Sequence, residues 1–204
     1  MRASTLKPRK TPRQDRSAAM VALILQAATR VLERESLVGF NTNRVAAVAG
    51  ISVGSLYQYF PNKEALMAAL IAQDQQARVA AIESTFAAIN TLPLADAVEA
   101  LAHYAVQQQF GRPLLAAALD HEERRLPVKA LLRAADARIE RCVAVWLAQH
   151  RDAFAGTLPE QAAQDCLTIT RALVEASIET GALPAANLPA RVARALLGYL
   201  GVLR

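Results

Sequence analysis

Few stretches restrict a chain as tightly as residues 42–60 do here. Two short runs with helical spacing, about 42–49 and 53–59, are separated by a single glycine, Gly50, and Pro61 stands directly behind the second. The residue types suit a sharp corner between helices. Ala46 is small where the second helix has to cross, and Gly50 supplies the left-handed backbone of a tight turn. Val45, Ala49, Ile51, Leu56 and Tyr59 then form a buried face that sets the crossing angle. Thr42 is placed to cap the first helix and Ser52 the second.

The flanking sequence continues in helices. From Ser17 to Leu37 the apolar residues Met20, Ile24, Ala27, Ala28, Val31 and Leu32 fall on one face, and Gly39 ends that run. Asn62 is a suitable cap for a long helix from Lys63 to about Asn90, before Pro93. Further helical segments near 94–109, 112–125, 127–154, 160–181 and 188–203 are separated by glycines and prolines, and no strand pattern interrupts them. The 53% hydrophobic content is rich in Ala and Leu and poor in aromatics, which favours helix on helix over sheet. The expected fold is all-α with about nine helices. It divides into a basic arm (1–16), a three-helix helix-turn-helix domain (17–62) and a helical body (63–204).

Charge separates the same regions. Residues 1–63 hold ten Lys/Arg against three acids, a net +7, and the other 141 residues hold thirteen bases against fifteen acids, a net −2. A basic head on a nearly neutral body suits a polyanionic partner at one end only. The arm carries Pro8, Pro12 and six Arg/Lys with almost no apolar side chains, so burial cannot offset its ordering entropy and it is expected to be disordered when free. Arg9, Lys10, Arg13 and Arg16 are candidates for DNA contact from this arm.

Cys142 and Cys166 lack CxxC or metal-ligand spacing, so neither a disulfide scaffold nor a metal site is signalled, and both read as core thiols. No apolar run approaches the ~18–20 residues that span a bilayer, and the N-terminus has no secretory h-region. A cytoplasmic protein that does not engage membranes is expected.

On the second short helix, Val53, Gly54, Ser55, Tyr57 and Gln58 face outward from the N-terminal half, the part that enters the major groove in a helix-turn-helix. Gly54 and Ser55 let backbone come close to DNA, and the Gln58 amide can read a base edge. Tyr57 offers a hydroxyl to phosphate and a ring to a thymine methyl. Arg44 is a phosphate candidate. Lys63 adds a full charge at a helix N-terminus, where free N–H groups already favour an anion.

The run Thr42 to Leu66, ending Gly-Ser-Leu-Tyr-Gln-Tyr-Phe-Pro-Asn-Lys-Glu-Ala-Leu, resembles the DNA-binding domain of the TetR family. The likeness extends back over Ile24-Leu25-Gln26-Ala27-Ala28 and covers about residues 17–70. It implies that Thr42 and Tyr59 bind phosphates, that Val53 to Gln58, behind Ser52, lie in the groove, and that Lys63 clamps phosphate. Gln58 departs from the commonest pattern, where Arg or Lys is often seen.

The resemblance also implies that residues from about 70 onward bind a ligand and dimerise, the last two helices pairing as a four-helix bundle. The sequence agrees: Leu167, Thr170, Leu173, Val174 and Ile178 share one face, as do Leu196, Leu197 and Leu200. The expected partners are therefore double-stranded DNA bearing a palindromic operator, a second copy of the chain, and a small apolar or amphipathic effector that releases repression. Candidate pocket residues are His103, Tyr104, Gln107 and His121 as polar anchors, with Phe86, Phe110 and Trp146 as walls. The stretch His121-Glu122-Glu123-Arg124-Arg125 reads as a solvated charged turn.

No catalytic constellation, metal-ligand set or cofactor motif is present: there is no GxSxG, phosphate-cradling glycine loop or HExxH. Two rival readings share the composition. A helical adaptor with a basic arm lacks any need for the Thr42 to Lys63 pattern, and a regulator with a closed core would differ only beyond residue 70.

Overall fold

The computed structural model describes residues 12–151, 158–179 and 187–202. Among them are nine α-helices and no strand: α1 (Pro12–Gly39), α2 (Thr42–Ala49), α3 (Val53–Tyr59), α4 (Lys63–Ile89), α5 (Leu94–Phe110), α6 (Pro113–Arg125), α7 (Lys129–Gln149), α8 (Pro159–Glu179) and α9 (Leu188–Tyr199). They fall into two compact units that divide at Leu70/Ile71.

In the first unit α1 packs on α2 and α2 on α3. Its interior is the apolar stripe of α1 (Ile24, Ala28, Val31, Leu32) with Phe40, Val45, Ala46, Leu56, Leu66 and Met67, all essentially shut from solvent. Val45 and Leu56 are buried as the pattern required, whereas Ala49, Ile51 and Tyr59 are only half-buried. The corner forms as the glycine demands. Gly50 is left-handed (φ 68°), its N–H donates to Ala47 O at 3.2 Å, and the Ile51 N–H donates to Ala46 O at 3.0 Å.

Three local details differ from the sequence reading. The cap of α2 is Asn41 and not Thr42: Asn41 Oδ1 accepts from the Arg44 N–H at 2.9 Å, and Thr42 is already the first helical residue. Helix α1 begins at Pro12 rather than Ser17, so helix reaches into the expected arm, whose residues 1–11 lie outside the described residues. The helix also breaks earlier than Gly39. Ser36 takes φ 55°, ψ −165°, a backbone that side-chain-bearing residues rarely adopt, and Val38 behind it is 96% exposed. Gly39 is needed for space: a Cβ there would fall 2.5 Å from Glu35 Cβ.

In the second unit α5 packs on α9, α7 on α8 and α8 on α9, with α5 also meeting α6 and α8. Phe86, Ala97, Val98, Ala102, Trp146, Leu147, Ala162, Ala163, Leu188 and Val192 are central to the core. Cys166 is buried there, which pushes its thiol up to about 12, while Cys142 is half-buried. No described helix is long and apolar enough to cross a membrane, and no described cluster of His, Cys, Asp or Glu could hold a metal ion.

Candidate nucleic-acid interface

The outward side of α2 and α3 is assembled by short polar ties. Ser52 Oγ accepts from the Ser55 N–H at 3.0 Å, capping α3 as its type and position required, and it lies 2.8 Å from Ser55 Oγ. Thr42 Oγ1 and the Tyr57 hydroxyl are hydrogen-bonded at 3.1 Å, which ties the start of α2 to the middle of α3. Gly54, Tyr57 and Gln58 are exposed, and Thr42, Val53, Ser55 and Tyr59 are half-buried. Asn62 Oδ1 accepts from the Ala65 N–H at 2.7 Å, so α4 begins capped, with Lys63 as its first residue. The Lys63 ammonium sits 5.4 Å from the centre of the Phe40 ring, a cation–π distance.

Arg44 brings in a residue that the sequence reading passed over. Its guanidinium is held by Glu35 at 2.6 and 2.8 Å. The hydrogen bond to Arg44 lowers the Glu35 carboxyl below its ordinary range, and the same bond raises Arg44. The signal available in sequence was the acid just before the Ser36 break, which chain direction alone does not place beside α2.

In the second unit the candidate pocket residues scatter. Phe86 and Trp146 pack with their rings tilted by 47° and 5.7 Å between centres, and they line an open cleft of about 420 Å³ between α4 and α7, together with Glu83, Arg138, Cys142 and Val145. His103, Gln107 and His121 are exposed, and the His103 ring only hydrogen-bonds the Glu99 carbonyl. Phe110 packs on the core, and Tyr104 is half-buried with its hydroxyl unpartnered. The expected charged turn at 121–125 is instead the end of α6. Glu122 is buried and paired with Arg125, and Glu123 accepts from Gln75 Nε2 at 2.9 Å.

On the expected pairing faces, Leu167, Thr170, Leu173 and Leu197 are half-buried and Ile178 is exposed. Val174, Leu196 and Leu200 are buried in the chain's own core. They have little surface left to offer a partner.

The sequence pattern of bacterial regulatory proteins of the tetR family matches residues 24–70, and that of the Tetracyclin repressor-like C-terminal domain matches residues 93–200. A comparison with curated proteins finds no match. Among solved structures, a TetR-family transcriptional regulator from Mesorhizobium loti is similar at TM-score 0.75 and 21% identity, covering 92% of this chain and 98% of its own. Salmonella enterica GusR is similar at TM-score 0.65 and 20% identity, covering 94% and 98%. The multidrug binding protein EbrR, in complex with imidazole, is similar at TM-score 0.62 and 21% identity, covering 90% and 96%. With the helix-turn-helix corner at Gly50 in one unit and the matched helical body in the other, the chain belongs to the TetR family of DNA-binding transcription regulators.

Proposed function

We propose that this regulator is a cytoplasmic repressor that binds a palindromic operator as a homodimer and is released by a small effector. The observation that carries the DNA half is the surface of α3, a capped helix with Gly54, Tyr57 and Gln58 open to solvent. Thr42, Arg44 and Lys63 are the phosphate-holding groups around it, and Gln58 is the base-reading one. Dimerisation through the open faces of α8 and α9, with Thr170, Leu173, Ile178 and Leu197 in the contact, would set two recognition helices about one DNA turn (~34–36 Å) apart.

Release needs an element shared by the two functions. Helix α4 starts at Lys63 and its later turns carry Asp74 to Phe86 of the second unit, so it is that element. Coupling of ~1–3 kcal/mol per effector corresponds to a 5- to 150-fold loss of affinity.

The test is anisotropy of the full chain on duplex taken from upstream of its own reading frame, at a series of salt concentrations. With roughly four to six phosphate contacts per subunit, log K should fall against log salt with a slope near −0.9 per contact. A monomer indifferent to duplex at low ionic strength would end the reading.

A further inference from the structure

The second unit contains a polar centre that reading DNA does not require. It is built by Asp74, Gln75 and Arg78 on α4, Tyr104 and Gln109 on α5, and Asp120 and Glu123 on α6. Gln75 is only 5% exposed, although it shares the phase of Ile71 and Val79 on the inward face of its helix. Its Nε2 donates to Glu123 Oε1 at 2.9 Å, Gln109 Nε2 donates to Asp120 Oδ2 at 3.2 Å, and Arg78 Nη2 donates to Asp136 Oδ1 at 3.0 Å.

Three buried atoms remain unmet: Gln75 Oε1, the Tyr104 hydroxyl and Arg78 Nε. The charges there lean negative. Asp74, Asp120 and Glu123 act on one another within reach of Arg78 and Arg112, and Arg78 is also engaged by Asp136. Burial, the largest cause, raises the carboxyls of Asp74 and Glu123 above their ordinary range, and the neighbouring carboxylates add to it.

The deficits have a common remedy. Gln75 Oε1 wants a hydrogen-bond donor and the carboxylates want a positive charge; water supplies the first and not the second, and an anion without a donor supplies neither. We infer that this centre is an effector subsite selective for a small organic cation bearing N–H donors, an amidine or a protonated amine. Asp74 and Glu123 are its counter-ions, Gln75 Oε1 its acceptor and the Tyr104 hydroxyl a further partner, and an acceptor atom beside the cationic group would answer Arg78 Nε. The unmet atoms are closed to solvent, so the cation enters by displacement of the half-buried Tyr104 and Glu123 side chains. This assignment rests on the effector-binding reading above.

The test titrates the full chain with benzamidine, its neutral isostere benzamide and the anion benzoate, by calorimetry and thermal melting. Benzamidine should bind and raise Tm while the other two do not. Glu123→Gln and Tyr104→Phe, each shown to be folded by circular dichroism, should weaken benzamidine at least tenfold, and Glu83→Gln in the separate α4/α7 cleft should leave it unchanged. Equal binding of benzamide, any preference for benzoate, indifference to the two variants, or no benzamidine binding at millimolar concentration overturns the assignment. Operator affinity is scored separately. Benzamidine that binds through Glu123 without loosening the duplex upholds the subsite and refutes release, whereas release that vanishes in Glu123→Gln supports both.

Discussion

In the unit up to Leu70, polar side chains close the structure: Asn41, Ser52 and Asn62 each cap a helix, Thr42 is tied to Tyr57, and Glu35 holds Arg44. In the unit from Ile71 onward the reverse holds. The buried side-chain atoms that lack a partner among the described residues, on Gln75, Arg78, Tyr104 and Trp146, all belong to it. The first arrangement specifies a surface whose shape must not vary. The second leaves free energy unclaimed in the apo protein, because a buried polar group without a partner costs roughly 1–3 kcal/mol, and a ligand that satisfies it can recover that cost. One unit is finished in its polar contacts and the other is not.

The contrast can be attacked from both sides. The largest effect is expected from Leu56→Ala, which empties a fully buried site in the finished unit; it should cost about 2–5 kcal/mol and abolish duplex binding. Trp146 is the only tryptophan and lies in the other unit, so circular dichroism should lose amplitude before Trp fluorescence does. Coincident transitions would mean that the two units do not melt separately. Next, Tyr104→Phe deletes a hydroxyl that meets nothing and should stabilise the protein by roughly 1 kcal/mol in denaturant melts. Asn41→Ala deletes the carboxamide that caps α2 in the finished unit and should cost about 1 kcal/mol. If both changes moved stability in the same direction, the contrast would fail.

Proton linkage distinguishes the units more gently. Folded Asp74 and Glu123 keep their protons to higher pH than they do in the unfolded chain. Above the ordinary carboxylate range the folded state therefore binds more protons, and unfolding free energy falls as pH rises towards neutrality. Glu123→Gln should flatten that slope in urea melts followed by Trp fluorescence. Glu35 has the opposite sign: Arg44 lowers it, so its contribution is present above its ordinary range and lost as pH falls. The smallest effect concerns the same pair. Glu35→Gln frees the Arg44 guanidinium for phosphate and should tighten duplex binding a few-fold at low salt, an advantage that shrinks as salt screens it.

Most of the helical frame was legible because glycine and proline punctuate it: Gly50, Pro61, Pro93 and Pro113 mark ends that the structure keeps. The α3 surface was legible for the same reason, since a corner glycine and two short runs fix which residues can face outward. The α2 cap was misplaced by one residue because Asn41 and Thr42 are both good caps and only backbone geometry chooses between them. The break at Ser36 had no sequence signal, because a positive φ is expected at glycine, asparagine or aspartate and not at serine. The buried centre was missed for a different reason. Charged residues at helical spacing read as a solvated face, and the clue, Gln75 in phase with Ile71 and Val79, carries weight only once α6 supplies Glu123 beside it.

The two thiols of the chain, Cys142 and Cys166, leave a practical opening. Burial raises both thiols, Cys166 up to about 12, so little reactive thiolate exists on either at neutral pH. An extra cysteine placed on an exposed position such as Gln58 would be alkylated well ahead of them, and a fluorophore could be attached there without first stripping the native sulfurs from the protein.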